Sequence, residues 1–142
     1  MCPMHTKHKG AVAVGRAVSH FSTIGYAVFL PVGDGGGEVD LVVSPNGQDV
    51  QRVQCKYTSG RHSASVKRDP ESRIWQVNLR SARGRMSYTM TAYEKQSFDL
   101  LYVVTPDGDY LFEWAALCDK LKKVPTELRI GKNWAAHKLG AS

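Results

Sequence analysis

The 142-residue sequence predicts an α/β (α+β) fold in which helices flank a mixed β-sheet. Three observations carry this. Residues 7–24 repeat apolar positions at helical spacing, the middle of the chain holds several short runs rich in β-branched and aromatic residues, and a second helical run follows the last strong strand. At 142 residues and 42% hydrophobic composition the chain can bury one real core, so a single domain over 1–142 is expected and wholesale disorder is excluded.

In the first helix Ala11, Val14, Ala17, Val18 and Phe21 recur at helical spacing, and Gly25 stands where a C-terminal cap belongs. Residues 26–30 (YAVFL) form a short strand stopped by Pro31. The run at 33–37 (GDGGG) is too glycine-rich for regular structure and lacks the GxxxxGK[ST] spacing of a phosphate loop. Strands follow over 38–44 and 50–58, joined by the turn signal Pro45-Asn46-Gly47. Residues 73–79 (RIWQVNL) give another strand, and the Arg- and Ser-rich stretch 80–92 fits a loop or a helix. Residues 98–105 read as a buried strand, turned by Pro106-Asp107-Gly108 into a partner at 110–112, with a helix over 114–122. Residues 127–130 would add an edge strand, and 131–142 form a docked or loose tail.

The charge is unevenly placed. The net charge is +6, and residues 52–95 alone carry ten bases against three acids, while the segments on either side are close to neutral. A concentrated basic segment suits a polyanion such as nucleic acid, or simply a solvated basic surface. No apolar stretch approaches the roughly 20 residues of a membrane span, and the N-terminus has no signal-peptide run, so a cytoplasmic, membrane-free protein is expected. Three widely spaced cysteines argue against a disulfide framework, and Cys2, His5 and His8 lack a fourth zinc partner. His20 and His62 read as surface histidines.

The hairpin over 38–58 holds the informative residues. Alternation puts Arg52, Gln54 and Lys56 on one face of the second strand, and Glu38, Asp40 and Val42 opposite the Val39, Leu41 and Val43 face of the first. A loop centred on Gly47 makes paired positions sum to 94, which sets Asp40 across from Gln54, with Lys56 beside Glu38. Such a cluster could hold a hard divalent cation through the Asp40 carboxylate, the Gln54 amide oxygen and the Cys55 carbonyl. Lys56 would then orient or deprotonate a water and stabilise charge at a phosphorus centre. The same residues also describe an ordinary polar sheet face with a cross-strand Asp–Lys or Glu–Lys pair.

Lys9-Gly10, Gly25-Tyr26, Pro31, Asp40-Leu41 and Val53-Gln54-Cys55-Lys56, in that order, resemble the PD-(D/E)XK nuclease superfamily. The likeness is to its group I intron-type homing endonucleases with a QxK motif, and the core is similar to that of Holliday junction resolvases. The resemblance implies a restriction-endonuclease-like sheet, Mg²⁺- or Mn²⁺-dependent cleavage of DNA, and a homo-oligomer, a dimer or a tetramer. It assigns Asp40 as the metal-binding acid, Gln54 as the second ligand and Lys56 as the catalytic lysine. The acid that the family places on its first helix falls at Val14, and no acid occurs between Lys7 and Leu30. Glu38 is the substitute metal ligand that strand alternation offers. A DNA-binding module without catalysis is the alternative that Val14 raises. Arg61, Lys67, Arg68, Arg73, Arg80, Arg83 and Arg85 follow the lysine strand directly and are the candidate DNA contacts.

Overall fold

The structure, a computed structural model, describes residues 6–32, 38–69, 71, 73–82 and 90–140. The helix α1 (Thr6–Thr23) is followed by β1 (Ala27–Phe29), β2 (Leu41–Ser44), β3 (Gln51–Tyr57), α2 (Ser63–Arg68), β4 (Trp75–Asn78), β5 (Arg80–Ala82) and β6 (Met90–Ala92). Then come β7 (Leu100–Thr105), β8 (Gly108–Glu113), α3 (Trp114–Leu121), β9 (Glu127–Ile130) and a 3₁₀ turn at Lys132–His137. Five strands make one sheet in the order β1-β2-β3-β7-β8. The β3–β7 pair is parallel and the others are antiparallel, so the sheet is mixed.

Both faces of that sheet are covered. On one, Ala13, Ala17 and Phe21 of α1 meet Leu41, Val43, Val53, Cys55, Leu100, Tyr102 and Val104. The buried stripe thus runs through Ala13, one position from the expected Ala11–Val14 line, and Ala11 is exposed. Gly25, at φ +88°, ends the helix, with the Tyr26 amide bonded to the Phe21 carbonyl at 2.9 Å and the Gly25 amide to that of Ser22 at 3.1 Å. That pair of bonds is the Schellman arrangement, and only glycine takes its left-handed residue without strain. On the other face Leu101, Val103 and Phe112 pack under Val77, Leu79, Tyr93, Trp114, Ile130 and Trp134. The expected edge strand at 127–130 pairs with β4 in a separate two-stranded sheet. Trp134 is buried against this second core, and the Leu139 amide bonds the Asp109 carbonyl at 2.8 Å, so the C-terminal segment through residue 140 is docked.

The structure corrects the reading of 80–92 at its two described ends, which are strands. They form the antiparallel pair β5–β6, with Arg80 opposite Ala92; residues 83–89 lie outside the described residues. Leu79 and Tyr93, which flank the pair, are buried in the second core, and this tertiary packing decides what local propensity leaves open. The helix α2 carries no signal in the sequence because six polar and small residues, SASVKR, show no amphipathic period.

Candidate active site

The 45–49 turn fixes the register on which the site depends. Gly47 adopts φ +78°, and the Asn46 Oδ1 accepts the amides of Gln48 and Asp49, each at 2.8 Å. Leu41 then faces Val53, Val42 faces Arg52 and Val43 faces Gln51, the register in which positions sum to 94. β2 spans four residues and β3 seven, so β3 runs on past the beginning of its partner. Asp40 covers that overhang. Its own amide donates to the Val53 carbonyl at 2.8 Å, and its Oδ2 accepts the Cys55 amide at 2.8 Å. A carboxylate oxygen thus stands where a strand carbonyl would otherwise be needed.

Regular alternation ends at this point. Val39 packs into the second core rather than sharing the face of Leu41 and Val43, and Glu38 lies outside the strand predicted to hold it. Glu38 stays close to the cluster all the same, since its charge and that of Asp40 both help push the Tyr93 hydroxyl up, after burial as the main cause.

Asp40, Gln54, Cys55 and Lys56 are brought together. The Gln54 amide nitrogen donates to Asp40 Oδ2 at 2.9 Å and to the Cys55 carbonyl at 3.1 Å. Gln54 is 7% exposed, and its Oε1 is buried with no hydrogen-bond partner. Burial pushes the Asp40 carboxyl up, against the opposing pull of the Cys55 amide and the Lys56 charge. Burial likewise pushes the Lys56 ammonium down, against the charge of Asp40. Both residues are half-buried, and both shifts follow from that partial loss of water. The Lys56 Nζ donates to the Arg80 carbonyl at 3.2 Å and lies over the Tyr93 ring. A groove of about 660 Å³ has Ala11, Val14 and Val18 of α1 on its lining together with Asp40, Gln54 and Cys55, so Val14 faces the cluster.

The donor set fits a hard cation. The Asp40 carboxylate, the Cys55 carbonyl and the Gln54 Oε1 are oxygens, and the last is a buried acceptor without a donor, a costly state that a cation would relieve. Among the described residues no group of three or more His, Cys, Asp or Glu could hold a metal. Carbonyl and amide oxygens would therefore have to share the work with Asp40.

The predicted DNA contacts are dispersed. Arg61 forms an isolated bridge with Trp75, and Lys67 and Arg68 close α2. Arg80 opens β5 with an exposed side chain, and Arg83 and Arg85 lie outside the described residues. Arg73 is engaged with Asp107 at 2.7 Å. A groove of about 610 Å³ takes lining from Arg68, Arg73, Arg129 and Lys132, but Asp69 and Glu71 line it too. With Arg129 also bonded to Glu127 at 3.1 Å, its charges nearly balance. His62 is buried rather than at the surface, its Nδ1 3.2 Å from the Ser65 hydroxyl. Tyr93 is not legible as a site residue in the sequence, because only the β5–β6 pairing carries it to Lys56.

A mixed sheet with an aspartate at the start of one strand and Gln-x-Lys on the next is the frame of a PD-(D/E)XK endonuclease. The chain belongs to that family, whose model matches residues 4–139. Among solved structures it is similar to the bacterial homing endonuclease I-Ssp6803I, with a TM-score of 0.68 at 21% identity over 91% of this chain and 80% of that one. At that identity the likeness is one of fold. No curated protein matches the chain. None of the described helices is long and apolar enough to cross a membrane.

Proposed function

We propose that the protein is a divalent-metal-dependent DNA endonuclease that hydrolyses phosphodiester bonds at the Asp40–Gln54–Lys56 cluster. The observation that carries this is the Gln54 amide, whose nitrogen touches both the Asp40 carboxylate and the Cys55 carbonyl while its Oε1 is buried without a partner. With the Gln54 amide turned over so that Oε1 takes the place of the nitrogen, the three oxygens would hold Mg²⁺ or Mn²⁺, with Glu38 as a further nearby carboxylate. When bound, the metal supplies Lewis-acid stabilisation of the phosphate's developing charge.

The chain's own groups do the rest. The Lys56 ammonium would orient the attacking water through its N–H groups, and the burial that disfavours its charge would let the neutral amine take a proton from that water. The water oxygen bonds to phosphorus, the P–O bond to the leaving nucleotide breaks, and the departing oxygen takes a proton from solvent while Lys56 releases the one it gained. The apolar α1 side of the groove, Val14 included, limits the water that competes for these contacts. Arg61, Lys67, Arg68, Arg73 and Arg80, with Arg83 and Arg85, would bind backbone phosphates, Arg73 from an exposed side chain that also pairs with Asp107. A duplex cut on both strands calls for two copies, so a two-fold dimer or a tetramer is the expected assembly.

Val14 favours a second reading, in which the fold binds DNA without cutting it, since the α1 face toward Asp40 carries no acid. Nicking of supercoiled plasmid with Mg²⁺ separates the two. Wild type should cut, and D40A and K56A should each lose at least about a hundredfold in rate. Equal rates for all three would overturn the enzyme reading. Linear duplex and four-way junction substrates run in parallel then distinguish homing-type from junction-resolving cleavage.

A further inference from the structure

The Lys56 ammonium is held from the β5–β6 pair and not from its own strand. Its Nζ is 3.2 Å from the Arg80 carbonyl oxygen and 5.2 Å from the centroid of the Tyr93 ring. Arg80 opens β5, and Tyr93 directly follows β6, so the Arg80–Ala92 pairing sets carbonyl and ring side by side. Tyr93 is itself fixed. It is 4% exposed, and its ring stands edge-to-face with Phe98 at 5.1 Å and with Trp114 at 6.3 Å. Trp114 is anchored in turn, its indole N–H donating to the Glu94 carbonyl at 2.9 Å.

A lysine has a long stem with much rotamer freedom to lose when its charge must be placed. A ring face attracts an ammonium, and the attraction strengthens where water is excluded. The carbonyl takes one of the three N–H donors and leaves two to face a substrate.

We propose that Tyr93, acting through its ring and together with the Arg80 carbonyl, is the positioning residue that pre-sets Lys56 for the reaction. The inference rests on the nuclease reading of the site. It requires the ring and not the hydroxyl, so phenylalanine must substitute and leucine must not.

Two measurements test it on the whole chain. In proton–carbon NMR of lysine-labelled protein, the ring current should move the Lys56 Cε protons upfield in wild type and in Y93F, and the shift should vanish in Y93L. In Mg²⁺-dependent plasmid cleavage, Y93L should lower kcat about tenfold with KM within about twofold, while Y93F stays within about twofold of wild type in both. An unshifted Lys56 resonance in wild type overturns the proposal, as does an equal kcat loss in Y93F and Y93L. If wild type cuts nothing, the nuclease reading fails by itself, and the NMR signature still decides whether Tyr93 places Lys56.

Discussion

Gln54 directs its amide nitrogen at Asp40 Oδ2 and the Cys55 carbonyl, the two oxygens that a cation would otherwise take. Both neighbours are acceptors, which fixes the amide orientation and leaves Oε1 buried and unsatisfied. In the proposed site the amide N–H groups therefore occupy the place on these two oxygens that a cation would take. Q54E removes those donors and sets a second carboxyl beside Asp40. Its melting temperature in chelator should fall by the equivalent of about 1–3 kcal/mol, and its rise on adding Mn²⁺ should exceed that of wild type. Thermal melts by circular dichroism check both; a Q54E protein that melts with wild type in chelator would remove the amide from this role. That Asp40, Gln54 and Lys56 come together is readable from the chain because a strong turn sets their register; their roles as ligands and catalytic lysine rest on the family resemblance. Tyr93 is not, since what makes it matter is an approach between strands distant in sequence.

Among the elements, the β7–β8 turn ties the second layer to the sheet. Asp107 accepts the Trp75 indole N–H at 2.8 Å and Arg73 at 2.7 Å, and these bonds, the indole's first, hold its carboxyl below the usual range. A carboxyl with a folded pKa below its unfolded value, about 3.9, stabilises the fold above that value, and the gain fades as pH falls through the depressed one. D107N should cost about 1 kcal/mol at pH 7, with the gap to wild type closing in acid as pH falls through the depressed Asp107 value. Urea unfolding at neutral and acid pH checks this; a gap that persists in acid would assign the loss to packing instead. The turns at 45–49 and 106–108 are legible because Asn-Gly and Asp-Gly chemistry is local. Alternation misplaces Val39 because it holds only while a strand is paired, and β2 begins at Leu41. β5, β6 and α2 stay hidden for a related reason: short polar segments take their form from what they pack against.

For the molecule as a whole, the described bases of residues 52–95 are spread over several elements, with Lys67 and Arg68 on α2, Arg80 on β5 and Arg73 paired with Asp107. Arg68 and Arg80 keep exposed side chains on different elements, which suits a nucleic-acid backbone running over a broad surface. R68E/R80E should weaken DNA binding at least about tenfold and lower the salt slope by about 0.9 for each phosphate left without its cation. Fluorescence anisotropy across a salt series reads both, and an unchanged slope would move the DNA path elsewhere. The proposed cleavage, by contrast, requires that the oxygen cluster of Asp40, Gln54 and Cys55 be a cation site. Calorimetric titration of Mn²⁺ into metal-free protein tests that most directly. Wild type should bind the ion with a saturable heat that D40N abolishes, and identical titrations for the two proteins would contradict the assignment.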